Sequence, residues 1–379
     1  MDEDRIYARF IDWMRKTWWG LPETDEMVGM VKAFYPPQEA AFLTGLPFSN
    51  RDLDEIAHMK DMPPEVLKPR LDALAKKGMV WRSEKNGRIR YKLNDSFFVF
   101  YRSAFWHGRE DDVTKSVAPL INNYHLNGFM EQFAHAHHKG LRAIPIEKTM
   151  ADTRQVVPYE DVIKVVDAQD YFTVSACPCR TRKRLDEEAH KCDHPVEVCL
   201  HFGTLGRYIV ENGLGREITR EETLDILKQS ADSGLVHGIS NWREGVDTIC
   251  NCCACCCLFL EAYHRLGHHR GLDPSNYVVR VNPETCKGCA LCAKRCPMDA
   301  IQLRVSSKAQ NKVGKVAVAD AALCIGCGVC AHTCPTDSLV LEPRQDGEAP
   351  PKDAGDWMGR FLEDRKTGPK YRKEDKVSP

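Results

Sequence analysis

An internal repeat near the C-terminal end constrains this 379-residue chain more than any other feature. Cys286-Lys-Gly-Cys289-Ala-Leu-Cys292-Ala-Lys-Arg-Cys296-Pro297 recurs 38 residues later as Cys324-Ile-Gly-Cys327-Gly-Val-Cys330-Ala-His-Thr-Cys334-Pro335. Each copy reads C-x2-C-x2-C-x3-C-P. Three thiolates on such a tight loop can grip one face of an iron–sulfur cubane. The fourth, on the short helix that follows, points the other way and reaches a second cubane. The spacing therefore predicts two 4Fe–4S clusters. Cys286, Cys289, Cys292 and Cys334 are expected around one, and Cys324, Cys327, Cys330 and Cys296 around the other. Gly288 and Gly326 are expected to let the loop backbone come close to the sulfurs. Zinc, which takes two separated C-x2-C pairs, suits the pattern poorly.

The chain has 18 cysteines, none before Cys177. A reducing cytoplasm does not sustain a disulfide framework, so clustered cysteines there point to metal or catalysis. Ten of them precede the repeat. Cys177, Cys179, Cys192 and Cys199 form one set, with His194 and His201 interleaved. Cys250, Cys252, Cys253, Cys255, Cys256 and Cys257 put six thiols into eight residues. Two unit charges about 4 Å apart repel by roughly 4 kcal/mol at an effective dielectric of about 20. Such thiols must be protonated, oxidised or neutralised by metal. A third metal centre is expected, with Cys177, Cys179, Cys192 and Cys199 as first candidates and the later run adding ligands. Iron–sulfur is favoured over zinc, since cysteine clusters suit both. The competing reading, free cysteines packed as small apolar residues, suits one or two of them. On a helix, Cys252, Cys255 and Cys256 would share one face, and Cys250, Cys253 and Cys257 another.

The rest of the chain divides into three parts. Residues 1–96 read as a helical leader and a winged helix-turn-helix-like domain. Leu53, Ile56 and Ala57 face inward on a first helix. Leu67, Leu71 and Leu74 line a second, which Gly78 stops, and an Asn86-Gly87 hairpin follows. Pro69 is expected to kink the second helix. Residues 97–280 form a mixed α/β Cys-rich middle domain, 281–342 the dicluster domain, and 343–379 a tail expected to be mobile. The fold class is α+β and multidomain. Histidines at His135, His137 and His138, and at His264, His268 and His269, fall on expected helices and read as solvated or packed. Arg180, Arg182, Lys183 and Arg184 read as a solvated basic face near Asp186, Glu187 and Glu188.

Charge is balanced, 53 basic against 54 acidic residues, so no whole-chain field points to nucleic acid or an anionic membrane. No apolar run spans a bilayer, and residues 1–19 lack the pattern of a signal peptide. A cytoplasmic protein is expected.

Residues 278–341 resemble the two-cluster bacterial ferredoxins, apart from a longer polar link, Arg304 to Lys315, expected as a surface hairpin. That resemblance implies an electron carrier. The whole chain is similar to a group of multi-cluster iron–sulfur proteins of anaerobic microbes. In that group a winged-helix segment precedes an A-C-P-C-R stretch (Ala176 to Arg180 here), a cysteine run and a dicluster ferredoxin. The expected function is transfer of low-potential electrons to a middle-domain metal centre or to a partner oxidoreductase. The chain would then be an iron–sulfur oxidoreductase or an electron-transfer subunit of one. The alternative is a redox-sensing winged-helix transcriptional regulator. DNA binding is less favoured, because Pro69, Glu65 and Asp72 sit where a recognition helix would meet it.

Overall fold

A computed structural model describes residues 2–17, 21–130, 136–150, 158–268 and 271–367. His135 and His269 lie outside these residues. The architecture is α+β.

Helices Glu3–Met14, Met27–Phe34 and Pro37–Leu43 bury Tyr7, Phe10, Phe34 and Tyr35. The next helix, Leu53–Lys60, opens on a reciprocal cap in which Glu55 accepts the Asp52 N–H at 2.9 Å. The following helix, Pro64–Lys76, continues through Pro69, so the proline does not end it. Strands β1 (Arg51–Asp52), β2 (Val80–Lys85) and β3 (Arg88–Leu93) form a sheet ordered β1-β3-β2. Its hairpin turns through Asn86 and Gly87, at φ 54° and 71°, the left-handed pair that two-residue hairpins require. The hairpin is anchored to the middle region. Trp81 stacks on Tyr208 with centroids 4.2 Å apart, and the Tyr208 hydroxyl donates to the Val80 carbonyl at 3.0 Å.

The middle region is built on a six-stranded antiparallel sheet. Its strands are β4 (Leu141–Ala143), β5 (Phe172–Ala176), β6 (Glu197–Phe202), β7 (Arg216–Glu217), β8 (Val236–Ser240) and β9 (Thr248–Cys252), ordered β4-β8-β9-β6-β5-β7. Successive side chains in a strand point to opposite faces, and here the two faces differ in chemistry. Val174, Val198, Leu200, Phe202, Ile239 and Ile249 share one apolar core with helices Val162–Asp167 and Arg220–Asp232. The second of these helices starts at a side-chain cap, where Thr219 accepts the Glu222 N–H at 3.1 Å. The other face carries Cys199, His201, Thr248, Cys250 and Cys252, with His201 opposite Thr248 in the register.

The C-terminal part pairs β10 (Tyr277–Val281) with β13 (Leu339–Pro343) and β11 (Ile301–Val305) with β12 (Lys315–Ala319). Short helices Leu291–Arg295 and Val329–His332 complete it. The link between the repeats is the hairpin expected there. The unit docks on the C-terminal end of the Arg220–Asp232 helix. Arg295 donates to the Asp232 carbonyl at 2.7 Å, and His332 Nε2 lies 2.7 Å from the Asp232 carboxylate.

Of the tail 343–379, expected to be mobile, the described residues include a helix, Ala354–Thr367, that is held against the middle region, and residues 368–379 lie outside the described ones. Trp357 and Phe361 are buried, Trp357 Nε1 donates to the Lys139 carbonyl at 2.8 Å, and Arg243 N–H bonds Pro351 O. Two aromatic anchors outweigh the charged composition that suggested mobility. Among the described residues, no helix is long and apolar enough to cross a membrane. Trp357→Ala is expected to remove about 3–5 kcal/mol of packing. Limited proteolysis should then cut within 344–367, a stretch protected in the unaltered chain.

Candidate metal centres

In the C-terminal unit, folding brings the repeat cysteines into two groups. The thiols close enough to Cys292 to raise its pKa electrostatically are Cys286, Cys289 and Cys334; burial is the larger cause and takes it to about 11. Around Cys330 the neighbours are Cys327, Cys296 and Cys324, with Cys292 of the other group a weaker influence. The fourth cysteine of each repeat thus lies with the first three of the other.

Backbone N–H groups are aimed at the sulfurs. The Ala300 N–H donates to Cys296 Sγ at 3.2 Å. Burial works to raise Cys334, but the N–H groups of Thr336, Ser338 and Leu339 and the Thr336 hydroxyl hold it below the ordinary thiol range. Gly326, at φ 65°, is required for a reason the repeat alone does not show. A Cβ there would strike Ser275 Oγ and the Tyr277 carbonyl, both at 2.2 Å, so the neighbouring strand rather than the cluster excludes a side chain. Cys289 is exposed, whereas Cys327 and Cys330 are buried.

The ten middle cysteines do not group as their order suggested. Cys192 separates from Cys177, Cys179 and Cys199 and joins Cys253, Cys255 and Cys256. The sulfurs of these four all lie within 4.8 Å of one another, and among the described residues no other group of Cys, His, Asp or Glu converges so closely. Cys192 is 3.8 Å from Cys253 and 3.6 Å from Cys255, and Cys255 is 3.7 Å from Cys256. The helix considered for residues 250–257 is absent. Cys250 and Cys252 belong to β9, residues 254–256 turn, and Cys257 caps the Leu258–Leu266 helix. The turn lets Cys253, Cys255 and Cys256 converge. Bonds from Cys253 and Cys256 hold the Cys255 thiol down to about 4. Cys255 is partly exposed and borders an open cleft with Lys183, His190, Glu261, His264 and Arg265.

The other six, Cys177, Cys179, Cys199, Cys250, Cys252 and Cys257, line a neighbouring cavity together with Cys253 and Cys256, closed by Tyr101, Trp106 and Pro178. Neither interleaved histidine joins a convergent group. His201 is bonded to Ser175 and Thr248, and burial drives its pKa far down; His194 lies near Cys253 and Arg295.

Of the basic run after Cys179, Arg184 is exposed as expected, but Arg180, Arg182 and Lys183 are buried rather than solvated. Arg180 is 0 % exposed, Arg182 2 % and Lys183 5 %. Lys183 pairs with Glu261 at 2.7 Å. Arg180 donates to Pro195 O and Asn251 O. Against the pull of burial, the charges of Cys177, Cys253 and Cys252 hold its guanidinium protonated. Arg182 contacts His125, yet its Nε and Nη2, and Arg180 Nε, are buried without a hydrogen-bond partner. Buried donors left unpaired are costly. Soft thiolate donors beside unpaired guanidinium N–H groups fit an anionic thiolate-bound metal. Sequence reasoning missed these cations because the acidic residues that follow suggested solvent.

The histidines resolve differently from the helices expected for them. His137 and His138 lie in an irregular segment. His264 is on the Leu258–Leu266 helix, but Gly267, at φ 70°, ends that helix before His268. The two histidines therefore do not share a helical face.

Residues 285–338 match the family model of the 4Fe-4S dicluster domain. No curated protein and no solved structure matches the chain. The C-terminal unit is thus a dicluster ferredoxin-like, iron–sulfur-binding domain. Gly326→Ala is expected to collapse the second cysteine loop and lower iron by about four atoms per chain, one cubane. Gly87→Ala, where a Cβ meets nothing within 4 Å, should leave iron content unchanged.

Proposed function

We propose that this chain is an iron–sulfur electron-transfer protein whose C-terminal clusters supply low-potential electrons to metal held by the middle thiols, as part of an oxidoreductase. In this reading Cys286, Cys289, Cys292 and Cys334 hold one 4Fe–4S cluster, and Cys324, Cys327, Cys330 and Cys296 hold the other. Clusters in such thiolate cages supply one-electron chemistry. The domains run 1–96, 97–280 and 281–342, and the described residues after 343 form an anchored segment.

The observation that carries the reading is the continuity of packing between the two thiol regions. Cys179, Cys192, Cys252, Cys253, Cys256 and Cys257 belong to one hydrophobic core with Met298, Ile325 and Cys327, and Cys296 and Cys324 pack against it. His264, which borders the cleft at Cys255, lies 2.8 Å from the Pro297 carbonyl. His194 feels both Cys253 and Arg295, the residue before Cys296. A carrier that served only outside partners would not need its inner cluster loop buried against a second group of thiols. The exposed Cys289 marks the outer cluster as the place where a partner protein delivers electrons.

The N-terminal helices and hairpin, read as a winged helix, serve in this account as a docking element. Several of their cations are engaged within the chain. Arg88 and Arg90 pair with Asp52, Arg82 with Asp72 and Glu211, and Lys77 with Glu39. The outward positions of the Pro64–Lys76 helix are Glu65, Val66, Pro69, Ala73 and Lys76, while Lys68 pairs with Asp72 and Arg70 donates to the Gln38 carbonyl, so few free phosphate-binding groups face out. The regulator alternative gains nothing from this face.

Electron paramagnetic resonance of the full chain, purified and reduced without oxygen, tests the relay. Magnetic interaction between the ferredoxin signals and a third signal is expected, and Cys192→Ser with Cys255→Ser should restore a simple dicluster spectrum. A third signal magnetically isolated from the ferredoxin clusters, or a spectrum unchanged in the double variant, would contradict it.

A further inference from the structure

We infer that Cys192, Cys253, Cys255 and Cys256 bind a single metal ion from the corners of a tetrahedron, a centre different in kind from the cubanes of the C-terminal unit. The inference rests on the reading that the middle thiols bind metal, and adds the number of metal atoms and the chemistry that follows from it. For the relay to operate, the ion is iron.

Sulfur spacing separates one ion from a cluster. Four thiolates bound to one ion at about 2.3 Å place their sulfurs about 3.8 Å apart. A 4Fe–4S cubane gives each thiolate its own iron, which spreads the four sulfurs to about 6 Å. Here Cys192 lies 3.8 Å from Cys253 and 3.6 Å from Cys255, and Cys255 lies 3.7 Å from Cys256. All four sulfurs stay within 4.8 Å of one another. The same molecule supplies the contrast. The repeat cysteines belong to a 4Fe-4S dicluster domain, and among the described residues no three of them draw together this closely. The spacing is also far from the S–S bond of about 2 Å in a disulfide, and all four cysteines are free.

The fold assembles the site from two segments. Cys253 leaves β9, and the turn at 254–256 doubles back so that the N–H groups of Cys256 and Cys257 both bond the Cys253 carbonyl, at 3.4 and 3.1 Å. One tight turn thereby supplies three donors. The fourth comes from the loop before β6, which two cations hold in place. Arg184 donates to the carbonyls of Cys192 and His194 at 3.2 and 3.1 Å, and Lys191 to those of Arg184 and Asp186 at 3.1 and 2.7 Å. Arg180 ties the two segments together, donating to Pro195 O at 2.9 Å and to Asn251 O at 2.6 Å. Its side chain is fully buried, its Nε has no hydrogen-bond partner, and its charge acts on Cys253. Four thiolates outnumber the charge of a divalent or trivalent ion, so a buried cation beside the site offsets the excess.

Four protein sulfurs fill a tetrahedron and leave no position for water or substrate. An ion held this way carries electrons or braces the fold, and binds no reactant. Cys192, Cys253 and Cys256 are buried, and Cys255 is the one sulfur of the four that reaches the cleft with Lys183, His190 and His264. In the relay, a reduced cubane gives up one electron and is oxidised, and the ferric ion takes that electron and becomes ferrous. No bond to the metal forms or breaks, and no proton moves.

The test uses the full chain prepared without oxygen, with iron, zinc and acid-labile sulfide determined per chain. Cubanes carry iron and sulfide in equal number, whereas a single thiolate-bound ion carries no sulfide. Cys192→Ser with Cys255→Ser is expected to lose about one metal atom and no sulfide while the ferredoxin signals persist. Loss of about four irons with about four sulfides would place a cubane at this site, and loss of nothing would leave it without metal. Either result overturns the proposal. If the double variant does not fold, the unaltered chain decides: its iron and zinc together should exceed sulfide by at least about one atom, and equality overturns the proposal. The identity of the ion tests the relay separately. One iron whose Mössbauer spectrum turns from ferric to ferrous as the ferredoxin clusters are reduced supports both. One zinc, or an iron that stays ferric, refutes the relay and leaves the single-ion site standing.

Discussion

The structure depends on one electrostatic requirement: buried sulfur held within contact distance of other sulfur must have its charge neutralised. Ten thiols meet in two adjoining groups inside the middle region, and eight more form two groups beside it. With protons alone the load is shared unevenly. Bonds from Cys179 and Cys252 bring Cys257 down to about 5, while the bond to Cys179, and then burial, push Cys177 well up. Metal bound among these thiols would remove the repulsion by taking their sulfurs as ligands. The cations driven into the interior, Arg180 above all, belong to the same solution.

The six-stranded sheet resolves the conflict between an apolar core and this load by dividing its faces. Val198, Leu200 and Phe202 pack with the helices on one side, while on the other Cys199 lines the thiol cavity and His201 bonds Ser175 and Thr248. Docking of the ferredoxin-like unit through Asp232, Arg295 and His332 then sets the inner repeat loop against the same core. The N-terminal hairpin on Tyr208 and the C-terminal helix on Lys139 and Trp242 brace this arrangement from outside.

Local signals were legible in the sequence. The repeat spacing places all eight of its cysteines on two short loops and helices, so little tertiary information is needed to group them. The hairpin at Asn86-Gly87, the cap at Thr219 and the linking hairpin between β11 and β12 are likewise local. The grouping of the middle cysteines was not legible, because it depends on strand register and on one turn. Cys192 and Cys199 are close in sequence, yet one lies on a loop and the other on β6. The alternation Val198-Cys199-Leu200-His201-Phe202, and the spacing of Cys250 from Cys252, were the available clues to a strand face. The burial of Arg180 and Lys183 was hidden for a similar reason: their partners, Asn251 and Glu261, are distant in the chain.

The most direct test of an electron pathway running from the repeat into the middle region is anomalous diffraction at the iron edge from crystals grown without oxygen. The account predicts iron within each repeat-derived cysteine group and among the middle thiols, where Cys192, Cys253, Cys255 and Cys256 converge. Iron confined to the C-terminal unit, with the middle thiols bare or bound to zinc, would contradict it.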